Sequence, residues 1–133
     1  TYENQRENQI GSETMHLRHL VFTLKGCQFH LLDDEAHIRN LLVNAAVMAQ
    51  ATLLDVTSHK FNPQGVTAVA LLAESHISIH TWPEKLMAVC DVFTCGDRTL
   101  PQSAMQYMYE NLEAQAITAG ELNRDEEATD PVD

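Results

Sequence analysis

The sequence predicts an α+β protein, a two-layer sandwich in which an antiparallel sheet carries two helices on one face. Two stretches place apolar residues at helical spacing, the segments around them read as strands, and turn signals rather than helices separate the middle strands. The order is β, α, β, β, β, α with an optional last strand. Such an arrangement leaves the second sheet face to be covered, and a homodimer through that face or edge is the economical solution.

Leu17 to Lys25 alternates Leu20, Phe22 and Leu24 on one face, and Gly26 ends the strand. Asp33 and Asp34 offer an N-cap. Ile38, Leu41, Leu42, Ala45, Ala46, Ala49 and Leu53 then recur at helical spacing, so a helix from about Glu35 to Ala51 lays that stripe on the sheet. Leu53 to Phe61 reads as a second strand, and Asn62-Pro63-Gln64-Gly65 is a turn by composition. The return strand runs from Val66 to about His80, apolar up to Ala73 and abruptly polar from Glu74. Thr81-Trp82-Pro83-Glu84 is a second turn, and Leu86 to Cys95 is a further strand closed by Gly96. Thr99 is placed to cap a second helix in which Pro101 fits the first turn and Met105, Met108 and Leu112 face inward. Ala116 to Leu122 extends that helix or forms an edge strand, with Gly120 weakening the helical option.

The 133 residues and 44% apolar content fit one domain, expected over residues 16–123 between a polar tail (1–15) and an acidic tail (124–133). The formal charge is −11, of which residues 1–15 hold −2 and residues 121–133 hold −5. That balance argues against nucleic acid and anionic membranes as partners. No run approaches the roughly 18 apolar residues of a membrane span. The N-terminal stretch is polar and acidic, the reverse of a signal peptide. Three cysteines, Cys27, Cys90 and Cys95, without a C-x-x-C pair suit reduced thiols in a cytoplasmic protein.

The chemistry concentrates in Glu74-Ser75-His76-Ile77-Ser78-Ile79-His80 and Cys95. These side chains could be the polar end of a strand. His76 and His80 share a face by period two and, with His59 or Asp91, could bind a metal, although no H-x-H or H-E-x-x-H motif is present. A serine hydrolase would need a nucleophile elbow, and no G-x-S-x-G occurs. A fourth use of serine remains. A serine hydroxyl can attack its own preceding peptide carbonyl in a strained turn, giving an ester by N-to-O acyl shift. Removal of the serine α-proton eliminates that ester, and hydrolysis of the dehydroalanine leaves a pyruvoyl group, a ketone that can form a Schiff base with an amine and act as an electron sink.

Ala73-Glu74-Ser75-His76-Ile77-Ser78-Ile79-His80-Thr81-Trp82-Pro83-Glu84, followed by Asp91-Val92-Phe93-Thr94-Cys95-Gly96, resembles the processing site and catalytic loop of the short prokaryotic S-adenosylmethionine decarboxylases. His59-Lys60-Phe61, Pro63-Gln64-Gly65-Val66, His19-Leu20 and Gly26-Cys27 are similar to further stretches of that family in the same order, over roughly residues 17–123. The resemblance implies self-cleavage between Glu74 and Ser75, with Ser75 becoming the pyruvoyl cofactor. It implies that His80 removes the serine α-proton, with Thr67 standing where many relatives have an assisting serine. Cys95 matches the acid that protonates the substrate α-carbon, a step suited to a small thiol of pKa near 8.5. Glu84 matches the carboxylate that holds the ribose hydroxyls, and Phe61 and Trp82 are candidate aromatic faces for adenine and the sulfonium.

The same resemblance implies an αββα homodimer with sites assembled across the interface, no metal, and a place in spermidine synthesis. Cys27 and Cys90 are expected to be small buried apolar groups, Cys90 on the strand face opposite Cys95. Lys85-Leu86-Met87 replaces a stretch where relatives often have a glycine flanked by tyrosines, Ala68 stands where glycine is common, and Leu17 and Thr23 also differ from frequent family residues. The leading expectation is a pyruvoyl-dependent decarboxylase of S-adenosylmethionine. Two alternatives are a relative acting on arginine or ornithine, and an unprocessed binding or regulatory homologue.

Overall fold

The computed structural model describes residues 16–126, so most of the two charged tails lies outside the described residues. Six strands form one sheet in the order β2-β3-β4-β5-β1-β6, every neighbouring pair antiparallel. They are β1 (Leu17–Lys25), β2 (Leu53–Lys60), β3 (Val66–Leu72), β4 (Ser75–Trp82), β5 (Met87–Cys95) and β6 (Ala116–Asn123). A one-turn α1 (Phe29–Leu32) leads into α2 (Glu35–Met48), and α3 (Pro101–Asn111) precedes β6. The expected two-layer α+β sandwich is therefore present, and the optional last strand forms.

Alternation sorts each strand into two faces. Leu20, Phe22 and Leu24 of β1, Ala68 and Ala70 of β3, Ile77 and Ile79 of β4, and Ala88, Cys90 and Val92 of β5 are buried together under Ile38, Leu41, Leu42, Ala45 and Ala46 of α2 and Met108 of α3. The small side chains of β3 and α2 let helix and sheet approach closely, while Leu and Ile supply the area. Asp34 caps α2 by accepting a hydrogen bond from the His37 N–H at 3.0 Å. Asp33 Oδ1 takes the Gly65 N–H at 2.8 Å and lies 3.1 Å from the Lys60 ammonium, so the acidic pair ties the β2–β3 turn to the helical layer. Gly65 itself has φ +110°, and a Cβ there would meet the Thr81 carbonyl at 3.2 Å.

Three expectations are corrected. Val66 to His80 is two strands rather than one, because the chain reverses at Ala73-Glu74 and pairs Leu72 with Ser75. Glu74 takes the left-handed φ of 58° that this two-residue turn demands. Thr99 does not cap α3: its hydroxyl donates to the Gly96 carbonyl at 3.1 Å, and Leu100 occupies the cap position without a side-chain bond. Leu53 leaves the helical stripe to start β2 and is partly exposed, since α2 stops at Met48.

Among the described residues, no helix covers the opposite sheet face. It presents Val21, Leu71 and Val89, all exposed, around a polar centre formed by His19, His76, Ser78 and Asp91.

Candidate active site

The β3–β4 turn and the end of β5 meet because antiparallel pairing of β4 with β5 sets His76 opposite Phe93 and so carries Ser75 to the last residues of β5. The Ser75 hydroxyl oxygen accepts the Cys95 backbone N–H at 3.1 Å. The Cys95 thiol donates to the Glu74 carboxylate with Sγ 3.8 Å from Oε2. Burial, the nearby Glu74 charge and that hydrogen bond together push the thiol up to about 11. At neutral pH Cys95 is therefore a proton-bearing thiol, fit to act as an acid and poorly fitted to act as a nucleophile. Ser75, Glu74 and Cys95, 21 residues apart in sequence at their extremes, form one compact group.

The other predicted residues gather at the far end of β4. Thr67 and His80 are directly opposed across β3 and β4, with Thr67 Oγ1 3.0 Å from His80 Nδ1. The Trp82 ring lies two residues on, 6.4 Å from the His80 ring, and is 38% exposed. Phe61 follows β2, is 46% exposed and meets His59 edge-on at 4.6 Å. Glu84 sits in the 3₁₀ turn Pro83–Lys85 that follows β4, exposed to solvent. Five strand residues separate Ser75 from His80, about 16 Å, and the odd count puts them on opposite faces. Within one protomer the two groups are not brought together.

Cys27 and Cys90 are buried among core residues, and burial raises both thiols, Cys27 to about 11. Cys90 lies with Ile79 and Phe22 on the helix-covered face, as its odd separation from Cys95 predicts.

A third group was only glimpsed in the sequence. His76 and His80 do not converge on a metal site, since His80 turns to Thr67 while His76 turns to Asp91. Asp91 Oδ2 instead accepts from His19 Nε2 at 2.7 Å and from His76 Nε2 at 2.8 Å, and its other oxygen accepts from the Ser78 hydroxyl. Burial works against the Asp91 charge, but the hydrogen bonds from His76, Ser78 and His19 outweigh it and hold the carboxyl well below the usual range. His76 is raised by its bond to Asp91, with partial burial opposing. His19, His76 and Asp91 offer ligand atoms within 4.8 Å of one another. Arg124, which can only donate, meets His19 Nδ1 at 3.2 Å, so Nε2 keeps the proton that a metal would have to displace. The group is thus a hydrogen-bonded network. The motif includes His19-Leu20, but the tie of His19 to Asp91 is not legible there because its partner lies 72 residues away and the β1–β5 pairing that joins them has no local signal.

The fold and these residues define a small α+β protein with a serine at a strained strand turn, backed by a proton-bearing thiol. Comparison with known proteins gives the particular family. The S-adenosylmethionine decarboxylase family model matches residues 18–125. The S-adenosylmethionine decarboxylase proenzyme of Synechococcus sp. (strain WH7803) is 54% identical over 97 residues, covering 73% of this chain and 76% of that protein. The proenzyme of Prochlorococcus marinus (strain MIT 9211) is 51% identical over 108 residues, 81% of this chain and 88% of the relative. A crystal structure of the adenosylmethionine decarboxylase from Aquifex aeolicus VF5 matches with a TM-score of 0.77 and 38% identity, over 85% of this chain and 92% of that one. The chain belongs to the S-adenosylmethionine decarboxylase family, and decarboxylation is the activity that this membership carries.

Proposed function

We propose that the chain is a self-processing decarboxylase of S-adenosylmethionine whose pyruvoyl cofactor is made from Ser75. The observation that carries the reading is the convergence of Ser75, Cys95 and the left-handed Glu74 at one turn. A non-glycine residue at φ 58° costs on the order of 1 kcal/mol, strain that cleavage of the Glu74–Ser75 bond would relieve. The Cys95 N–H orients the serine oxygen beside the peptide that it attacks.

Ser75 Oγ bonds to the Glu74 carbonyl carbon as the peptide C–N bond breaks, leaving an ester and a free amine. His80 takes the Ser75 α-proton, the Cβ–O bond breaks, and residues 1–74 depart as a carboxylate. The dehydroalanine tautomerises and reacts with water, releasing ammonia and leaving the ketone. That ketone supplies an electron sink for loss of carbon dioxide from a bound amino acid. Cys95 delivers the proton to the substrate α-carbon, Glu84 accepts the ribose hydroxyls, and Phe61 and Trp82 offer faces to the adenine and the sulfonium.

His80 cannot reach Ser75 along its own strand, so these roles call for a second copy that supplies Thr67, His80, Phe61, Trp82 and Glu84 to the Ser75 and Cys95 of the first. The uncovered sheet face, with Val21, Leu71 and Val89 exposed around its polar centre, supports a homodimer of the αββα kind, because an open sheet face that exposes large apolar side chains is ordinarily packed. No helix among the described residues is long and apolar enough to cross a membrane. We place the enzyme in the cytoplasm, where the buried thiols of Cys27, Cys90 and Cys95 stay reduced.

Intact-mass measurement of the folded protein tests the reading. Two chains divided between residues 74 and 75 are expected, with one water consumed and one ammonia released, and carbon dioxide release from S-adenosylmethionine should far exceed that from arginine or ornithine. The Ser75→Ala protein should stay whole, whereas Cys95→Ala should cleave and lose most turnover. A wild-type chain that remains whole and releases no carbon dioxide refutes the assignment in favour of a binding or regulatory homologue.

A further inference from the structure

Glu74 has a position in the uncleaved chain that its place in the peptide bond does not explain. Its side chain could have pointed to solvent, as acidic residues in turns ordinarily do. Instead Oε2 lies 3.8 Å from Cys95 Sγ, and the thiol itself is only 6% exposed. The two residues are held in register from both sides. Glu74 is fixed by a two-residue turn between β3 and β4, and Cys95 is the last residue of β5, hydrogen-bonded through its own N–H to Ser75.

We propose that Glu74 is a positioning residue for Cys95: in the uncleaved chain its carboxylate pins the thiol proton and masks the sulfur, and cutting the Glu74–Ser75 bond removes the constraint that places it. A carboxylate beside a buried thiol opposes thiolate formation twice, by accepting the S–H and by repelling the sulfur anion. The masking has a use. A thiolate beside a strained peptide carbonyl would compete with the Ser75 oxygen as nucleophile, and a protonated thiol does not. After cleavage Glu74 is a chain end bearing two negative charges, tethered only through Ala73, so mutual repulsion and lost backbone restraint both favour its withdrawal. Cys95 is then free to face a substrate.

The masking step does not require the cleavage reading, because it concerns the whole chain; the unmasking step rests on it. The test uses cysteine labelled with ¹³C at Cβ, whose shift follows thiol ionisation, with the Cys95 signal assigned by its loss in Cys95→Ala. In Ser75→Ala, which holds the chain whole, replacing Glu74 by Gln should lower the Cys95 midpoint by about 1 pH unit, raising the thiolate fraction about tenfold at any pH below it. Glu74→Asp should keep much of the effect, and Glu74→Asn, whose side chain tolerates the left-handed backbone, should reproduce Gln if that protein folds poorly. An unchanged midpoint in both neutral variants, or an equal fall in the Asp variant, overturns the masking. In wild-type protein followed through cleavage, the midpoint should fall as the two chains appear; cleavage with no change refutes the unmasking alone, and absence of cleavage refutes the functional reading while leaving the masking result standing.

Discussion

Mixing two inactive proteins, Ser75→Ala and His80→Ala, should restore cleavage, and the amount restored follows from the geometry of β4. Ser75 and His80 are the first and sixth residues of that strand, on opposite faces and about 16 Å apart. Hydrogen-bond reach for proton transfer is about 3 Å, so neither side-chain rotation nor strand twist closes the gap. If the second copy supplies His80, each site in a dimer draws Ser75 from one protomer and His80 from the other. In a mixed dimer the His80→Ala protomer keeps Ser75 and meets the intact His80 of its partner, while the reciprocal site lacks both groups. Random pairing at equal amounts makes about half the dimers mixed, so about half of the His80→Ala chains should cleave, and turnover should reach about one quarter of the wild-type value per total protomer. Co-expression with distinguishable tags and intact-mass measurement of the whole population read the fraction directly, and in the purified doubly tagged species every His80→Ala chain should cleave. No cleavage in the mixed dimer, or substantial cleavage of His80→Ala alone, would refute assembly across an interface.

Asp91→Ala should destabilise the protein by about 3 kcal/mol in urea unfolding near neutral pH, because His19, His76 and Ser78 all lose their acceptor. The pH dependence has two signs. The depressed Asp91 carboxyl contributes stability that is present above the ordinary carboxylate pKa and lost as pH falls through its folded value; the raised His76 contributes below the ordinary histidine pKa and loses it as pH rises through its folded value. The wild-type advantage over the variant should therefore peak between about pH 4 and pH 6.5 and shrink on both sides, and a flat difference would argue against the network. Leu42→Ala, at a fully buried position on α2, should cost about 3 kcal/mol by the same measurement while leaving the cleavage site unchanged in mass.

The parts of the fold legible in the sequence are those whose signal is local. β1 keeps its expected limits because alternation and Gly26 both act within a few residues, and α2 starts where Asp34 supplies a cap. The reversal at Ala73-Glu74 was invisible because that pair contains none of the Gly, Pro, Asn or Asp that announce turns, and apolar residues run up to it from one side while alternation runs from the other. Only the register of β3 on β4, fixed by the many contacts of a central hairpin, forces Glu74 into the left-handed region. For the candidate site, the motif supplied Ser75, His80, Cys95 and Glu84, but not how they are grouped. Ser75 with Cys95, and Thr67 with His80, depend on cross-strand pairing, and the His19–Asp91–His76 network depends on β1 inserting between β5 and β6.

The unexpected turn also ties the two halves of the chemistry together. As one strand, residues 66–80 would have kept Thr67 and His80 at opposite ends, thirteen residues apart. Folding back at Glu74 brings Thr67 against His80 and sends Ser75 to the other end, beside Cys95. A single local feature therefore strains the scissile peptide, builds the proton-handling pair and separates that pair from the serine it would serve. On the proposed roles a lone protomer would stop short of cleavage, since the Ser75 hydroxyl could shift the acyl group while His80 stands about 16 Å along the strand from the α-proton it is to remove. Under that reading cleavage waits on pairing of two folded chains, and an unpaired or unfolded chain would keep its serine. Under the proposed processing, in which the cofactor forms irreversibly from the backbone, this ordering would confine the reaction to chains that have already reached their assembled state.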